Sequence, residues 1–139
     1  MTLKRNRYNS EELLRQLSEQ EPTRDGDEWC FVFKCYEDDS DLDGFVACIP
    51  EDRTKHKAAR ELLISLLQSI DRLDNSVQDS CEKEASKSPY SIENYMLHIG
   101  CIDLTGDRVR FRYYGTKVNT EWSAEFERDQ NGNWQKTNF

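Results

Sequence analysis

The hydrophobic period of the chain changes between residues 77 and 95, and this change constrains the fold more than any other sequence feature. Between residues 59 and 77, apolar side chains recur every three or four positions, which predicts an amphipathic helix with one buried face. From residue 95 onward, apolar and polar residues alternate, which predicts half-buried strands. A chain of 139 residues with this pattern predicts one domain in which a helix packs on a sheet. The helical positions are Ala59, Leu62, Leu63, Leu66, Leu67, Ile70, Leu73 and Val77.

The N-terminal part predicts a short helix followed by a hairpin. Asn9 and Glu12 have the spacing of a capping box, so we expect a helix over residues 10–20, preceded by a frayed tail at residues 1–8. The segment 22–27 is rich in residues that break helices and strands and is expected to be a loop. The two strands of the hairpin are expected at Trp29–Tyr36 and Phe45–Ile49.

The C-terminal part predicts a meander. The long helix should begin near Pro50 and fade within the polar segment 79–91. Turn residues then separate four strands, which gives the order α-ββ-α-ββββ. The expected fold class is α+β, with an antiparallel sheet of about six strands packed on one long helix and a short N-terminal helix. The four strands are expected at Tyr95–Leu104, Arg108–Tyr114, Val118–Arg128 and Trp134–Phe139.

The net charge of −8 makes negatively charged binding partners less favourable. Nucleic acid is disfavoured because affinity for it comes largely from cations that displace counterions around the phosphates. Anionic membrane surfaces are disfavoured for the same reason. No apolar run is long enough to span a bilayer, and residues 1–8 lack the apolar stretch of a secretion signal. We therefore expect a cytoplasmic protein; its oligomeric state stays open.

The five cysteines are Cys30, Cys35, Cys48, Cys81 and Cys101. Their number is odd and their spacing contains no CxxC pair, so we interpret them as reduced thiols that mostly fill small spaces in the core. Closely spaced zinc ligands are absent from the sequence, and neither a metal nor another cofactor is expected.

Catalytic residues are not evident either. His56 is expected to be solvated, and His98 should point away from the core. Because residues three apart on a regular strand point to opposite faces, His98 is not expected to pair with Cys101. The sequence holds no glycine-rich phosphate loop, GxSxG or HExxH motif. We predict a protein that is not an enzyme and has no catalytic residues.

The connection between the first two strands is the most distinctive charged segment. It contains five carboxylates and no cation within residues 37–43. Residues Asp39, Asp41, Asp43 and Gly44 match the opening of a calcium loop, but the twelfth position is Pro50 where a bidentate Glu is required. The alternatives are a solvated hairpin tip and a docking surface for a basic protein. The five carboxylates, predicted to bind the partner, are those of Glu37, Asp38, Asp39, Asp41 and Asp43.

Basic residues on a later strand allow two interpretations. Arg108, Arg110 and Arg112, with neighbouring aromatic residues, resemble a patch for single-stranded nucleic acid. The next strand, however, places carboxylates on its outward face, so cross-strand ion pairing is the simpler interpretation. These carboxylates belong to Glu121, Glu125 and Glu127.

The closing stretch DRVRFRYYGTKVNTEWSAEFERDQNGNWQ, residues 107–135, resembles the terminal meander of small bacterial immunity proteins that neutralise polymorphic or contact-dependent toxins. Several of these proteins combine such a meander with helices, in folds similar to cystatin-like or nuclear-transport-factor-like domains. The resemblance implies a single-domain, cytoplasmic and acidic protein that binds its cognate toxin and blocks the active site or the access of substrate.

These observations lead to one functional hypothesis and one alternative. The hypothesis is a non-enzymatic immunity protein whose acidic loop occupies the basic active site of a cognate toxin. The alternative is a small-ligand-binding or enzymatic domain with a pocket between the main helix and the curved sheet. A deep pocket lined by Trp29, Tyr95, Trp122 and a buried polar group would favour the alternative, and a filled interior would favour the interaction protein.

Overall fold

The computed structural model describes residues 8–34, 44–85, 87, 97–115 and 121–138. The fold is mixed α+β, with three helices and a seven-stranded sheet in this part of the chain. In chain order the elements are α1 (Ser10–Ser18), β1 (Thr23–Asp25), β2 (Glu28–Lys34), β3 (Gly44–Ile49), α2 (His56–Gln68), α3 (Ile70–Ala85), β4 (Leu97–Thr105), β5 (Arg108–Gly115), β6 (Glu121–Arg128) and β7 (Trp134–Asn138).

The strands lie in the sheet in their order along the chain. Their pairings are antiparallel except for that between β3 and β4, which is parallel. The expectation of a purely antiparallel sheet is therefore wrong at this junction. The reason is the connection: α2 and α3 carry the chain back along the sheet between β3 and β4, and such a crossover joins parallel neighbours.

The expected long helix is two helices. Ser69 leaves helical geometry with φ −119° and ψ 6°, and its N–H donates to the Leu66 carbonyl at 2.9 Å. A new helix then starts, in which the Leu73 N–H donates to the Ser69 carbonyl at 3.0 Å. Because buried side chains continue at helical spacing across the break, the sequence pattern did not reveal it.

The structure also differs from the sequence-based expectation in two further segments. The segment 22–27, expected to be a loop, contains the strand β1, which turns into β2 at Gly26 with φ +63°. Helix α2 begins at His56 and not near Pro50, after a short 3₁₀ turn that Asp52 caps by accepting from the Thr54 N–H at 3.0 Å. The described residues thus form seven strands and three helices, where about six strands and two helices are expected from the sequence.

Two predictions about the N-terminus have different outcomes. The Asn9 cap is confirmed, because its Oδ1 accepts from the Glu12 N–H at 3.2 Å. The tail at residues 1–8 is expected to fray, but Tyr8 is buried. Its backbone N–H donates to Asp71 Oδ1 at 3.2 Å, and its ring meets Phe45 edge-on at 6.1 Å. The core therefore includes Tyr8; residues 1–7 lie outside the described residues.

The core forms between the helices and one face of the sheet. The alternation predicted for the meander is confirmed, because Val109, Phe111 and Tyr113 of β5 are buried opposite Ala124 and Phe126 of β6. Helices α2 and α3 contribute the predicted apolar positions to the same cluster. None of the helices in the described ranges is both long and apolar enough to cross a membrane.

Helix α1 covers an edge of the sheet. Strand β1 pairs with Glu28–Cys30 of β2, and in the part of the chain that the structure describes no strand pairs with Val32 and Lys34 on that side. Gln16 takes this place by accepting from the Lys34 N–H and donating to its carbonyl, both at 2.8 Å. Gln20 likewise accepts from the Val32 N–H at 3.0 Å and donates to the Val32 carbonyl at 2.9 Å. Two glutamines thus complete an edge that would otherwise invite pairing with another chain.

Gly44 is required where the predicted acidic loop joins the sheet. It opens β3 opposite Lys34, and a Cβ at this position would lie 2.4 Å from the Phe33 carbonyl oxygen. Because that oxygen belongs to the backbone, Gly44→Ala has to shift the hairpin and should lower the free energy of unfolding by about 1–3 kcal/mol. Urea denaturation measures this loss. Lys34→Ala, which removes an exposed side chain from the paired position, is the control and should change stability by less than about 0.5 kcal/mol.

Candidate functional site

The sheet face opposite the helices, here called the open face, carries a cluster of thiols. Cys30 and Cys48 are direct partners across β2 and β3, and their Sγ atoms are 3.8 Å apart. Cys101 of β4 lies on the other side of Cys48, with an Sγ–Sγ distance of 3.6 Å. We call these three residues the thiol cluster. It joins three neighbouring strands, which bring together side chains that are far apart in the sequence.

Two carboxylates and one guanidinium flank the thiol cluster. The Cys48 thiol donates to Glu28 Oε2 at 3.6 Å, and the Cys101 thiol donates to Asp103 Oδ1 at 3.5 Å. Arg112 of β5 donates through Nη2 to Cys101 Sγ at 2.9 Å, and its Nε lies 2.8 Å from Asp103 Oδ2. At one end of the cluster, the guanidinium of Arg112 already supplies a positive charge. At the other end, the carboxylate of Glu28 is exposed.

Burial makes the thiols weak acids. It is the main cause that raises the pKa of Cys48 far above its ordinary value, and the neighbouring Cys101 adds to the shift. Burial also raises the pKa of Cys101, and Asp103 adds to this, while hydrogen bonds from Cys48 and Arg112 oppose it. At neutral pH both side chains carry their proton. A protonated thiol is a poor nucleophile unless a nearby positive charge stabilises the thiolate.

The three sulfurs of the thiol cluster and the two flanking carboxylates could act as metal ligands in two overlapping sets. Glu28, Cys30 and Cys48 form one set, and Cys48, Cys101 and Asp103 form the other. Within each set the ligand atoms lie within 4.8 Å of one another. Cys48 belongs to both, so the sets could not be occupied independently.

The structure corrects the interpretation of the cysteines as core fillers. Only Cys81 lies in the core among the cysteines that the structure describes, where burial raises its pKa to about 11. The thiol cluster lies on the opposite side of the sheet. The sequence does indicate that Cys30 and Cys48 face away from the core, because each is adjacent in its strand to a core residue, Phe31 or Ala47, and neighbouring residues in a strand point to opposite faces. Cys35 lies outside the described residues.

His98 and Cys101 share a face of the sheet, contrary to the expectation. Strand β4 has a bulge at Gly100, so His98 pairs with Tyr114 and Cys101 with Arg112, two positions of one parity on β5. A bulge inserts one residue and reverses the parity beyond it. Burial lowers the pKa of His98. On a strand without a bulge, residues three apart lie on opposite faces, which is why the expectation is wrong here.

His56 is not solvated as expected. Its Nε2 lies 2.8 Å from the Pro50 carbonyl oxygen, and its ring meets that of Trp29 at 5.3 Å. Arg53 covers the same indole with its guanidinium carbon 4.9 Å from the ring centre. His56 and Trp29 thus form part of the packing at the start of α2.

The predicted ion pairing of the arginines is confirmed for the residues described. Arg108 lies 3.7 Å from both Glu125 and Glu127, and Arg110 lies 3.5 Å from Glu125. Arg112 pairs with Asp103 on the other side. The side chain of Glu121 lies outside the described part. Since these exposed guanidiniums already have carboxylate partners, the patch is less suited to nucleic acid than its sequence suggests.

The predicted partner-binding residues Glu37, Asp38, Asp39, Asp41 and Asp43 lie outside the described residues. The structure does describe where the segment joins the sheet: Lys34 and Gly44 are paired. At the next paired position of the two strands, the rings of Phe33 and Phe45 stack with their centres 5.1 Å apart. Gly44 and the residues after it belong to a paired strand, which does not fit the continuation of a calcium loop.

The alternative hypothesis places Trp29, Tyr95 and Trp122 around a pocket between the main helix and the sheet, and the structure describes two of these three residues. Trp29 contacts Arg53 and His56, as described above. Trp122 lines a depression of about 590 Å³ that also includes Cys101, Arg112 and Ser123. This depression borders the thiol cluster. Tyr95 lies outside the described residues.

No protein-family model, curated protein or solved structure matches the chain.

Proposed function

We propose that the chain is a binding protein that acts by contact with another macromolecule. More particularly, we propose that it is an immunity protein that neutralises a cognate bacterial toxin by occluding its basic active site. The supporting observation is the distribution of charge. The arginines of β5 are matched by carboxylates within the fold, whereas the connection between β2 and β3 holds five carboxylates and no cation.

The base of this connection supports a docking role. Lys34 and Gly44 bring the two ends of the segment together, and the stacked pair of Phe33 and Phe45 anchors those ends in the core. A charged segment held on a rigid base loses less conformational entropy on binding than one attached to a mobile terminus. Its carboxylates can meet the Lys and Arg side chains of a cleft that binds phosphates, which raises the association rate and favours basic partners.

The experiment uses the protein encoded by the gene next to that of this chain. Co-expression of the two in a bacterial host should restore growth that the neighbour alone inhibits, and the purified pair should bind. The variant with Asp38, Asp39, Asp41 and Asp43 replaced by Asn should associate at least about tenfold more slowly, with the largest loss at low salt. Association rates are measured over a series of salt concentrations.

The control removes the same number of charges elsewhere. Glu11, Asp25, Asp27 and Glu61 are exposed, and their replacement by Gln or Asn should change the association rate by less than about threefold. A neighbour that is harmless, or that does not bind, contradicts the proposed function. Equal association rates of the two fourfold variants contradict the role of the acidic loop.

A further inference from the structure

We propose that Glu28, Cys30 and Cys48 bind one zinc ion on the open face of the sheet. Thiolate sulfur and carboxylate oxygen are the ligand atoms that zinc takes in proteins, and two thiolates select it over the harder magnesium and calcium ions. The site would be separate from the acidic loop, and the inference does not depend on the proposed immunity function.

The distances within the cluster fit such an ion. In a tetrahedral site with zinc–sulfur bonds of about 2.3 Å, two sulfurs lie roughly 3.8 Å apart, and a sulfur and an oxygen roughly 3.5 Å apart. Cys30 Sγ and Cys48 Sγ are 3.8 Å apart, and Cys48 Sγ and Glu28 Oε2 are 3.6 Å apart. The third edge, between Cys30 and Glu28, lies within 4.8 Å, and the exposed Glu28 side chain can rotate to shorten it.

The set formed by Cys48, Cys101 and Asp103 is less suitable because the guanidinium of Arg112 already binds two of its members. Arg112 contacts both Cys101 and Asp103, and an ion there would have to displace a guanidinium that bonds to two ligands. At the Glu28 end, Cys48 is the one residue in the described part of the chain that bonds to the carboxylate, and the exposure of Glu28 offers the ion a path from solvent. Both sets offer two thiols and one carboxylate, which need a divalent cation when the thiols lose their protons, but at the Cys101 end the Arg112 guanidinium already offsets one of these charges.

The position of the two cysteines keeps the ligands in place without the metal. They are direct cross-strand partners, so the backbone of the β2–β3 hairpin fixes the separation of their Cβ atoms. Both are about nine-tenths buried, with 9% and 8% of the residue surface exposed. A site preorganised in this way binds without first ordering a loop. Because both ligand sets include Cys48, we expect one equivalent per chain.

The test uses the full chain, purified with a non-thiol reductant and freed of metal by a chelator. Titration with cadmium, which takes the same ligands, should produce a thiolate-to-metal charge-transfer absorbance that saturates at one equivalent. Zinc affinity is then measured by competition with a chromogenic chelator. Cys48→Ser should lower this affinity at least about a hundredfold, and Cys30→Ser and Glu28→Gln at least about tenfold.

Two cysteine variants serve as controls. Cys81→Ala alters a thiol in the core and should change zinc affinity by less than about threefold. Cys101→Ser alters the thiol that Arg112 contacts beside Cys48, and it should lower the affinity less than Cys30→Ser does. Far-ultraviolet circular dichroism of the metal-free proteins verifies that each variant folds. Glu28 is exposed, so Glu28→Gln keeps the test decisive even if a serine at position 30 or 48 prevents folding.

Three results would overturn the proposal. The first is a reduced wild-type chain that shows no saturable cadmium absorbance. The second is a loss of affinity in Cys101→Ser that exceeds the loss in Cys30→Ser, because the ion would then lie at the other end of the cluster. The third is a Cys30–Cys48 disulfide in protein kept under the reducing conditions of the cytoplasm, since it would consume both thiolates.

Discussion

Phe111→Ala is expected to lower the free energy of unfolding by about 3–5 kcal/mol. The Phe111 side chain is fully buried on β5, between Ile102 of β4 and Ala124 of β6. Its ring centre lies 5.3 Å from that of Phe126, so truncation removes aromatic contacts and leaves a cavity. Rigid strands on both sides limit how far the surroundings can collapse into that cavity.

Urea denaturation monitored by tryptophan fluorescence measures this loss. The control is Val32→Ala, because Val32 is 51% exposed on the open face, and the change there should stay within about 0.5 kcal/mol. Natural domains are stable by only about 5–15 kcal/mol, so Phe111→Ala should be partly unfolded at a temperature where the control is folded. A loss below about 1.5 kcal/mol would mean that this part of the core is not packed as described.

Tyr113→Phe is expected to cost about 1.5–3 kcal/mol, although it removes a single oxygen atom. The Tyr113 hydroxyl donates to Asp74 Oδ1 at 2.8 Å, and both residues are buried between β5 and α3. Without the hydroxyl, a buried carboxylate loses a strong hydrogen bond that water cannot replace. The sheet and α3 are joined at this point by a polar contact, and Asp74 Oδ1 also accepts from the buried Gln78 Nε2 of the same helix at 3.4 Å.

A double-mutant cycle separates this contact from simple loss of packing. In an Asp74→Asn background the remaining acceptor is neutral, so Tyr113→Phe should cost less than in the wild type. Equal costs in the two backgrounds would show that the hydrogen bond to Asp74 is not the cause. Asp74→Asn alone keeps the shape of the side chain and provides the matched reference.

The same pair predicts how stability changes at alkaline pH. Burial, with a contribution from Asp74, raises the pKa of Tyr113 well above its ordinary value of 10.0. The folded state then holds this proton more tightly than the unfolded state does. The resulting stabilisation is complete below the unfolded pKa and is lost as the pH rises above about 10. Tyr113→Phe should therefore lose stability less steeply in this range, which thermal melts at a series of pH values would measure.

The sequence was sufficient where the structure depends on local alternation. The residues of β5 and β6 that it assigned to the core are buried, because side chains on a regular strand alternate with period two. It was also sufficient for the Asn9 cap, which involves neighbours three residues apart. The helix break at Ser69 was missed because the apolar spacing continues across it.

The candidate metal site could be predicted in part. The parity of Cys30 and Cys48 within a recognisable hairpin places both on the face opposite the core, so their pairing was within reach of sequence reasoning. The approach of Cys101 was not, because it depends on the bulge at Gly100 and on the parallel register between β3 and β4. Neither leaves a local pattern that a single sequence displays.

By itself, the amino-acid sequence determined the α+β class, the main buried helical positions and the alternation of the meander, since each is an interaction among near neighbours in the chain. Only the tertiary structure decided that β3 and β4 lie parallel, that Gln16 and Gln20 complete the edge of β2, and that Cys48 lies beside Cys101. These contacts join segments far apart in the chain, and their register is set by how the helices and the sheet pack together, which no local period encodes.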